Sequence, residues 1–442
     1  MLALTPLEDM LEASPYLSYT YSYPHKTAYR PLQPVQALSE VWEPERREAL
    51  FLYIHLPFCE MRCGFCNLFT TLHPGQDFIS AYLATLRRQA RQVRQALGEA
   101  SFARFALGCG TPTYLSAAEL AAVFDLAEEL YGLDLSRLPV SVETSPGTSQ
   151  EEKLILLRER GVDRISIGIQ SFVEEEVRAA GRAQKNREVE AALSRIKDLD
   201  FPVLNLDLIY GLPGQTVASW LASLETALKY RPQELYLYPL YTRPLTGLGR
   251  TGKSWDDQRL ECYRAGRSYL LNMGYEQVSM RMFRASSTPM EAGPVYCCQE
   301  DGMVGLGCGA RSYTRALHYS SEYAVSARGV RAILSDYLTR SDESFSQAVY
   351  GFRLDQAEQR RRYVIQSLLQ KEGLDEAAYR ECFGSAALVD LPGLRQLVEL
   401  GLAEHSHEKL VLTEMGLERS DTIGPWLYSE QVQTLMEEYE LR

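Results

Sequence analysis

The sequence predicts an α/β fold in which six βα units form a parallel sheet that curls into a partial (β/α)6 barrel. Between about residues 50 and 245, short apolar runs alternate with longer segments of helical periodicity. Each run is almost wholly apolar, which is typical of parallel strands covered on both faces. The predicted strands are 51–56, 102–107, 140–144, 164–170, 204–210 and 234–240. The predicted helices are 76–97, 116–131, 149–160, 186–198 and 216–229.

Helix starts and strand ends support this alternation. Ser116 with Glu119, and Ser149 with Glu152, have the spacing of a reciprocal helix cap. In barrels of this kind, chemistry takes place at the carboxyl ends of the strands. Polar or glycine-rich residues stand at all six predicted ends: a cysteine-rich loop after 56, the turn 108–112, Glu143, Gln170, Asp207 with Tyr210, and Pro239 with Tyr241. This series predicts a functional site at that edge of the sheet.

The regions that flank the barrel suggest three further parts. Residues 1–46 are rich in tyrosine and proline and predict an extended N-terminal arm, either a surface segment or a lid over the active site. Residues 47–254 make the barrel, and 255–345 make a barrel-closing extension with added sheet. That extension includes a predicted helix from Asp256 to Met273 and a strand-like run from Glu276 to Met282. Residues 346–442 predict a small helical, winged-helix-like C-terminal cap with a hairpin at 410–413.

Composition narrows the class of protein. The 442 residues contain 45% hydrophobic and 24% charged side chains, as in an ordinary soluble globular protein. We expect no membrane span, because no apolar run approaches twenty residues, and no signal peptide. Nine cysteines without regular spacing beyond the first three disfavour a secreted disulfide scaffold, so we expect a cytoplasmic location. The net charge of −12 disfavours general nucleic-acid binding.

Three cysteines follow the first predicted strand within eight positions. Cys59, Cys63 and Cys66 have the spacing C-x3-C-x2-C, so their thiolates can converge on one metal centre. A structural zinc would need a fourth ligand such as His73, and three unrelated buried thiols are a second alternative. A [4Fe–4S] cluster usually takes four cysteines, so three ligands suggest that one iron is kept open for a substrate.

The motif C-x3-C-x2-C, with Phe65 before the last cysteine, resembles that of the radical S-adenosylmethionine (SAM) superfamily. The preceding run Tyr53-Ile54-His55-Leu56-Pro57-Phe58 resembles the oxygen-independent coproporphyrinogen III oxidase-like family. The resemblance extends over about residues 47–425. It implies a [4Fe–4S] cluster and room for two SAM molecules, the first of which yields methionine and a 5′-deoxyadenosyl radical.

The resemblance also implies roles for individual residues. Cys59, Cys63 and Cys66 match the cluster ligands, and Tyr53, Phe65 and Glu143 match residues beside the first SAM. Cys109 stands where the family has the middle glycine of a Gly-Gly-Gly-Thr-Pro turn that approaches the methionine part of SAM. Residues that match the second SAM site, with Tyr241 and Arg311 as weaker candidates, are Gly110, Thr111, Gln170, Arg182 and Asp207. A buried ion pair between Arg182 and Asp207 is the structural alternative.

These implications predict a radical SAM enzyme that abstracts hydrogen from a small organic substrate, with no individual catalytic residue identified. The reaction would end in oxidative decarboxylation, or in methyl transfer or cyclopropanation as in related two-SAM enzymes. The expected partners are a porphyrinogen or natural-product intermediate and a reducing donor such as flavodoxin or ferredoxin.

Two other functions compete with this expectation. The same family contains heme-binding chaperones, which typically carry His-Asn-x-x-Tyr-Trp before the Gly-Leu-Gly turn. Here the corresponding stretch is Tyr296-Cys297-Cys298-Gln299, without histidine or tryptophan, which weakens the chaperone prediction and also puts strict porphyrin oxidase activity in doubt. The second is a regulator that carries a cluster and binds DNA through the C-terminal cap. The net negative charge of the chain disfavours this function.

Other cysteines and arginines permit several interpretations. We expect plain buried thiols at Cys297, Cys298 and Cys308. An auxiliary cluster and a thiol hydrogen donor are the two alternative interpretations. Three roles are open for Arg281, Arg284 and Arg311. They could bind substrate carboxylates, form structural ion pairs or lie on a solvated face. The run 360–362 is three arginines, which predict a helix surface rather than a phosphate site.

Overall fold

Six parallel strands at the centre of a mixed sheet form the framework of the fold. The computed structural model describes residues 6–252, 257–289 and 294–441. The strands, numbered in chain order, are β1 Arg30–Ala37, β2 Leu50–Leu56, β3 Phe58–Cys59, β4 Thr71–Leu72, β5 Phe102–Cys109, β6 Val140–Thr144, β7 Arg164–Gln170, β8 Val203–Tyr210, β9 Glu234–Pro239, β10 Tyr275–Gln277, β11 Met282–Ala285, β12 Met303–Leu306, β13 Arg311–Tyr313, β14 Leu317–Ser320, β15 Gln347–Arg353, β16 Leu374–Asp375, β17 Ala403–Ser406 and β18 Lys409–Leu412.

The main sheet has the order β1-β15-β14-β13-β12-β2-β5-β6-β7-β8-β9-β11-β10. Strands β2, β5, β6, β7, β8 and β9 are parallel neighbours, so their carboxyl ends lie along one edge. At one side, β12 continues the parallel set next to β2, with Gly305 opposite Tyr53. Antiparallel strands then extend both sides, which confirms the prediction of added sheet.

Helices cover the sheet and build the C-terminal region. In chain order they are Leu7–Ala13, Leu38–Trp42, Gln76–Leu97, Ala117–Tyr131, Glu151–Glu159, Glu174–Ala179, Asn186–Asp198, Val217–Leu228, Gly247–Thr251, Arg259–Asn272, Ala327–Thr339, Gln356–Leu368, Glu376–Phe383, Ala387–Asp390, Leu394–Glu399, Glu414–Glu418, Ser420–Trp426 and Glu430–Glu437. No described helix is both long and apolar enough to cross a bilayer.

The predicted α/β fold is confirmed, and within the barrel each predicted strand and helix is present. All six predicted strands exist with ends that shift by at most two residues, and the five predicted helices lie between them. The buried faces of these strands and helices form one continuous apolar core. The boundaries proposed between domains stay a prediction.

Three local predictions need correction. Ser149 is not a helix cap, because its hydroxyl donates to the carbonyl of Ser145 and the helix begins after Gln150. Ser116 and Glu119, by contrast, form the predicted capping box. The run 276–282 is not one strand, since the chain reverses between β10 and β11, which pair antiparallel. Asp256, the predicted start of the next helix, lies outside the described residues.

The third correction concerns the N-terminal arm, which is only partly extended. It begins with a helix, and residues 30–37 form β1 at the edge of the main sheet, paired with β15. Its tyrosines serve burial, as Tyr16, Tyr23 and Tyr29 are almost completely enclosed. Sequence could not reveal the pairing of β1 because its partner lies more than 300 residues further along the chain.

The C-terminal region combines short helices with a small sheet. Strands β16, β18 and β17 form a three-stranded sheet, and β17 with β18 is the predicted hairpin. A separate apolar cluster fills this region and includes residues of the N-terminal arm such as Leu7 and Tyr23. The helical, winged-helix-like cap is therefore confirmed as an architecture, and it packs on the arm.

A buried ion pair joins the added sheet to the C-terminal region. Arg281 donates to Asp421, and the two side chains are only 5% and 1% exposed. Tyr241 donates to the same carboxylate, and the ring of Tyr19 lies 3.7 Å from the Arg281 guanidinium carbon. Arg281 is thus a structural residue rather than a free substrate ligand.

We expect Asp421→Ala to lower the free energy of unfolding by about 3–5 kcal/mol, because it leaves the buried Arg281 guanidinium unpaired. Urea denaturation of the purified protein measures this loss. Asp342→Ala is the matched control, since Asp342 pairs with Arg88 at the surface and should cost at most about 1 kcal/mol. Equal losses for the two variants would contradict the structural role assigned to Asp421.

Candidate functional site

The loop with the three cysteines begins where β2 ends and is held by backbone contacts from two other segments. The N–H of Gly64 donates to the carbonyl of Ala180 over 3.0 Å, and its carbonyl accepts from the N–H of Leu248 over 2.7 Å. A Cβ atom on Gly64 would lie 2.6 Å from the Ala180 oxygen. Only glycine fits there, so the loop has a fixed position at the mouth of the barrel.

All three thiols belong to this one short loop, and each of Cys59 and Cys66 is affected electrostatically by its neighbouring cysteines. Cys63 is buried, and Cys59 and Cys66 are half-buried. Burial, together with the neighbouring charges of Cys66 and Cys63, raises the pKa of Cys59 to about 12. The pKa of Cys66 is raised by burial and then by Cys63. Thiols in such surroundings ionise only when a cation compensates the charge, which iron would do.

The donor set fits a [4Fe–4S] cluster. Three thiols share one rigid loop, and the Arg182 guanidinium donates to the sulfur of Cys63 over 3.2 Å, as it would to a thiolate. The backbone N–H of His73 donates to the Cys59 carbonyl over 3.3 Å. No three His, Cys, Asp or Glu side chains among residues 6–252, 257–289 and 294–441 converge on a single metal ion.

The turn after β5 brings Glu143 and Tyr53 together. The N–H of Cys109 donates to the Glu143 carboxylate over 3.0 Å, and Cys109 has a left-handed φ of 88°. A Cβ atom on Gly108 would lie 2.9 Å from the Glu143 carboxylate and 3.3 Å from the Tyr53 ring. Gly108 therefore allows these two side chains to approach the backbone, and the sequence analysis did not single it out.

Glu143 and Asp207 are two carboxylates at the mouth of the barrel. The pKa of Glu143 is raised to about 7, first by burial within the surrounding protein and then by the charge of Asp207, although the hydrogen bond from the Cys109 N–H acts in the opposite direction. By its accessible surface, Glu143 is nevertheless an exposed residue. Burial likewise raises the pKa of Asp207 to about 6, although Asn205 donates to it over 2.8 Å.

Arg182 links the end of β7 to the cysteine loop. Besides Cys63, it donates to the carbonyl of Gly168 over 2.7 Å and to the amide oxygen of Gln184 over 2.8 Å. It forms no ion pair with Asp207, so the structural alternative of such a pair is wrong for these two described residues. Gln170, between them on the sheet edge, has a left-handed φ of 70° that turns the chain at the strand end.

The remaining candidates lie around this mouth. Phe65 packs on the small apolar cluster that contains Ala180 and Leu248. Gly110 and Thr111 anchor the turn to the cysteine loop, since their N–H groups donate to the carbonyls of Leu56 and Phe58. Tyr241 is engaged with Asp421, which places it in the structural network of Arg281. Arg311 lies 4.6 Å from the ring of Tyr21 on the N-terminal arm.

The structure adds residues that the sequence analysis missed. Lys26 of the arm lies 3.6 Å from the centroid of the Tyr323 ring, and Tyr323 donates to the carbonyl of Asn67, next to Cys66. The ring of Tyr19 meets that of Tyr238 at 6.2 Å. The only signal in the sequence was a lysine set within a tyrosine-rich segment. These contacts place the arm against Tyr238 of β9 and against Tyr323, and the lid role stays a prediction.

Other candidates have structural explanations. Arg284 pairs with the buried Glu234 over 2.8 Å. Arg362 is buried and donates to the carbonyls of Cys298 and Gln299, so the prediction of a helix surface is wrong for this arginine. The thiols of Cys297 and Cys298 both contact Gln299, whereas Cys308 contacts Ser321 and the carbonyl of Ile333. The three cysteines thus have two different surroundings.

Comparison with known proteins agrees with this geometry. A model of the Radical SAM superfamily matches residues 53–227. The heme chaperone HemW of Bacillus subtilis is 26% identical over 375 residues, which cover 82% of this chain and 95% of that protein. HemW of Escherichia coli strain K12 is 30% identical over 285 residues, which cover 59% and 69%. The oxygen-independent coproporphyrinogen III oxidase of Salmonella typhimurium is 27% identical over 429 residues, which cover 90% and 91%.

A solved structure has the same fold over almost the whole chain. Coproporphyrinogen III oxidase (HemN) from Escherichia coli, a radical SAM enzyme, aligns with a TM-score of 0.77 at 23% identity, covering 92% of this chain and 96% of that one. The cysteine loop, the strand-end residues, the matched family model and the relatives all agree. The chain therefore belongs to the radical SAM superfamily and, within it, to the HemN- and HemW-like family.

Proposed function

We propose that this protein is a radical SAM enzyme that acts on a small organic substrate of the porphyrin class. Cys59, Cys63 and Cys66 would hold the [4Fe–4S] cluster. When bound, the reduced cluster supplies the electron for reductive cleavage of SAM, which drives hydrogen abstraction from the substrate. The observation that carries the proposal is the rigid three-thiol loop with Arg182 donating to Cys63, next to the turn that holds Glu143.

The residues around the loop would bind and orient the cofactor. Glu143 would accept hydrogen bonds from the amine or ribose hydroxyls of the first SAM, with Tyr53 beside it and Phe65 beside the adenine. The second SAM would occupy the neighbouring strand ends, bound by Gly110, Thr111, Gln170, Arg182 and Asp207. The arm, whose tyrosines contact this mouth, would act as a lid that limits the access of water.

One experiment tests this function directly. The protein is reconstituted anaerobically with iron and sulfide, and then incubated with SAM and dithionite. Formation of 5′-deoxyadenosine with methionine is expected. Additional S-adenosylhomocysteine would indicate methyl transfer, whereas its absence would favour oxidative decarboxylation. If none of these products forms on a fully loaded cluster, the enzyme proposal is wrong.

A heme chaperone is the second candidate, and the similarity to two HemW proteins supports it. The segment Tyr296-Cys297-Cys298-Gln299 offers no histidine to heme iron, which favours the enzyme. Heme titration of the purified protein separates the two functions. Stable stoichiometric heme without SAM cleavage would favour the chaperone.

SAM binding should depend on pH through Glu143. Its pKa near 7 means that the carboxylate, which accepts hydrogen bonds, is mostly present at pH 8 and mostly lost at pH 6. We therefore expect the Kd for SAM to rise about tenfold between pH 8 and pH 6 in the reconstituted protein, measured by calorimetry. The variant Glu143→Gln should bind weakly at both pH values. A variant that keeps the wild-type pH profile would show that Glu143 is not the group that titrates.

A further inference from the structure

We propose that a cavity between the barrel and the C-terminal region is a second ligand site, which binds the phosphate group of a small phosphorylated molecule. The cavity has a volume of about 590 Å³, within the usual range for small-molecule pockets. Its walls include Arg46, Arg315, Arg360 and Arg362. The inference goes beyond the proposed function, because it concerns a separate part of the molecule.

The cavity lies at the amino ends of the parallel strands, whereas the cysteine loop follows the carboxyl end of β2. Residues 44–46 precede β2, and Gln299 and Glu300 precede β12, its parallel neighbour. Arg315 is in the turn between β13 and β14, at the end of β13 that pairs with the start of β12. The seven residues of β2, about 20 Å of strand, therefore separate this cavity from the cysteines.

Arg362 is the most buried cation on the cavity wall. Only 5% of its surface is exposed, and its guanidinium donates to the carbonyls of Cys298 and Gln299 over 2.7 and 2.9 Å. Within the described residues it has no carboxylate partner, and its Nε–H is buried there without a hydrogen bond. A buried guanidinium with an unused donor is costly unless a ligand completes its hydrogen bonds.

Arg315 supplies a second cation that is open to a ligand. Its side chain is exposed, and in the part of the chain that the structure describes it forms no ion pair. The other two arginines on the wall differ, since Arg46 pairs with Glu300 over 2.8 Å and Arg360 lies 3.5 Å from Asp390. The cavity thus combines two arginines that have a carboxylate partner with two that can bind an external anion.

The remaining polar groups of the wall suit a framework that carries hydroxyls. Both oxygens of Glu45 accept from the backbone N–H of Arg315 over 3.1 Å, and Glu381 is exposed. Carboxylates accept hydrogen bonds from hydroxyls, and amides such as that of Gln356 can both donate and accept. Because the same carboxylates would repel a ligand that is anionic throughout, the wall favours a ligand with one anionic group and several hydroxyls, such as a sugar phosphate.

Two guanidinium groups from different segments favour phosphate over carboxylate. A carboxylate has two oxygens, which a single arginine fork can engage completely. The three outer oxygens of a phosphate ester can accept from two arginines at once. Arg315 belongs to the barrel extension, and Arg362 belongs to the helix Gln356–Leu368 of the C-terminal region. A bound phosphate would therefore link these two regions.

Calorimetric titration of the cluster-loaded, full-length protein with ribose 5-phosphate tests the site. Ribose is the matched ligand without charge, and citrate offers carboxylates instead of phosphate. All titrations are anaerobic and are repeated with SAM present. We expect ribose 5-phosphate to bind at least about tenfold more tightly than ribose or citrate. Arg315→Gln and Arg362→Lys should each weaken its binding at least about tenfold, as the loss of a charge-assisted contact implies.

Arg395→Gln is the matched control, because it removes an exposed cation of the C-terminal region that does not line the cavity. This variant should bind as wild type does. Arg315 is exposed, so Arg315→Gln decides the test even if Arg362→Lys does not fold. The proposal is overturned if wild type binds ribose 5-phosphate no more tightly than ribose or citrate, if SAM prevents this binding, or if Arg315→Gln keeps wild-type affinity.

Discussion

Cys66→Ala should abolish formation of 5′-deoxyadenosine, reducing it below the detection limit of chromatography with mass detection. Cys66 is the last of the three thiols on the fixed loop, and its sulfur is coupled electrostatically to Cys63. With two thiols left, the loop could not retain a stable cubane. We expect iron and sulfide content after anaerobic reconstitution to fall together with activity.

Cys382→Ala is the control for this prediction. Cys382 is exposed, and the described contact of its thiol is with Glu300 at 3.7 Å, far from the loop in sequence. This variant should keep a full cluster and full SAM cleavage. A fully loaded, active cluster in Cys66→Ala would refute the assignment of the three ligands.

Gly110→Ala should damage the site without removing any functional side chain. A Cβ atom there would lie 2.5 Å from the carbonyl oxygen of Phe58 and closer still to that of Leu56. Both atoms belong to the backbone that leads into the cysteine loop, so relief requires the loop itself to move. We expect a loss of about 3 kcal/mol in the free energy of unfolding, at the upper end for overpacking, together with lower iron content.

Gly75→Ala is the matched control, because a Cβ atom at Gly75 meets no other atom within 4 Å. Its φ of −67° also suits alanine. Urea denaturation and iron analysis of both variants compare a crowded glycine with an open one. If Gly110→Ala is as stable and as well loaded as Gly75→Ala, then the turn does not fix the position of the loop.

The barrel was predictable because each of its elements has a strong local signal. The apolar run 51–56, which Pro57 ends, indicates a buried strand, and the helix that follows Ser116 has a complete capping box in its own sequence. Ser149 shows the limit of this reasoning. Ser149 has the same spacing to a glutamate, but its hydroxyl donates a hydrogen bond to the carbonyl of Ser145 and therefore does not cap the helix.

The arm and the charges at the barrel mouth were not predictable in this way. Whether Arg281 is free or paired depends on Asp421, which lies 140 residues away in the chain. Likewise, Lys26 contacts Tyr323, a residue that is distant from it in the chain. Sequence identified Arg281, Arg284 and Arg311 as equivalent candidates, and tertiary structure alone separates the unpaired Arg311 from the two that are paired.

The central claim is that three cysteines of one loop hold an iron–sulfur cubane with one iron open to SAM. Mössbauer spectroscopy of the wild-type protein reconstituted with ⁵⁷Fe, with and without SAM, measures this most directly. We predict one [4Fe–4S] cluster per chain, in which the signal of a single iron site changes when SAM is added. A spectrum without a cubane, or a cubane whose four irons are unaffected by SAM, would contradict the account.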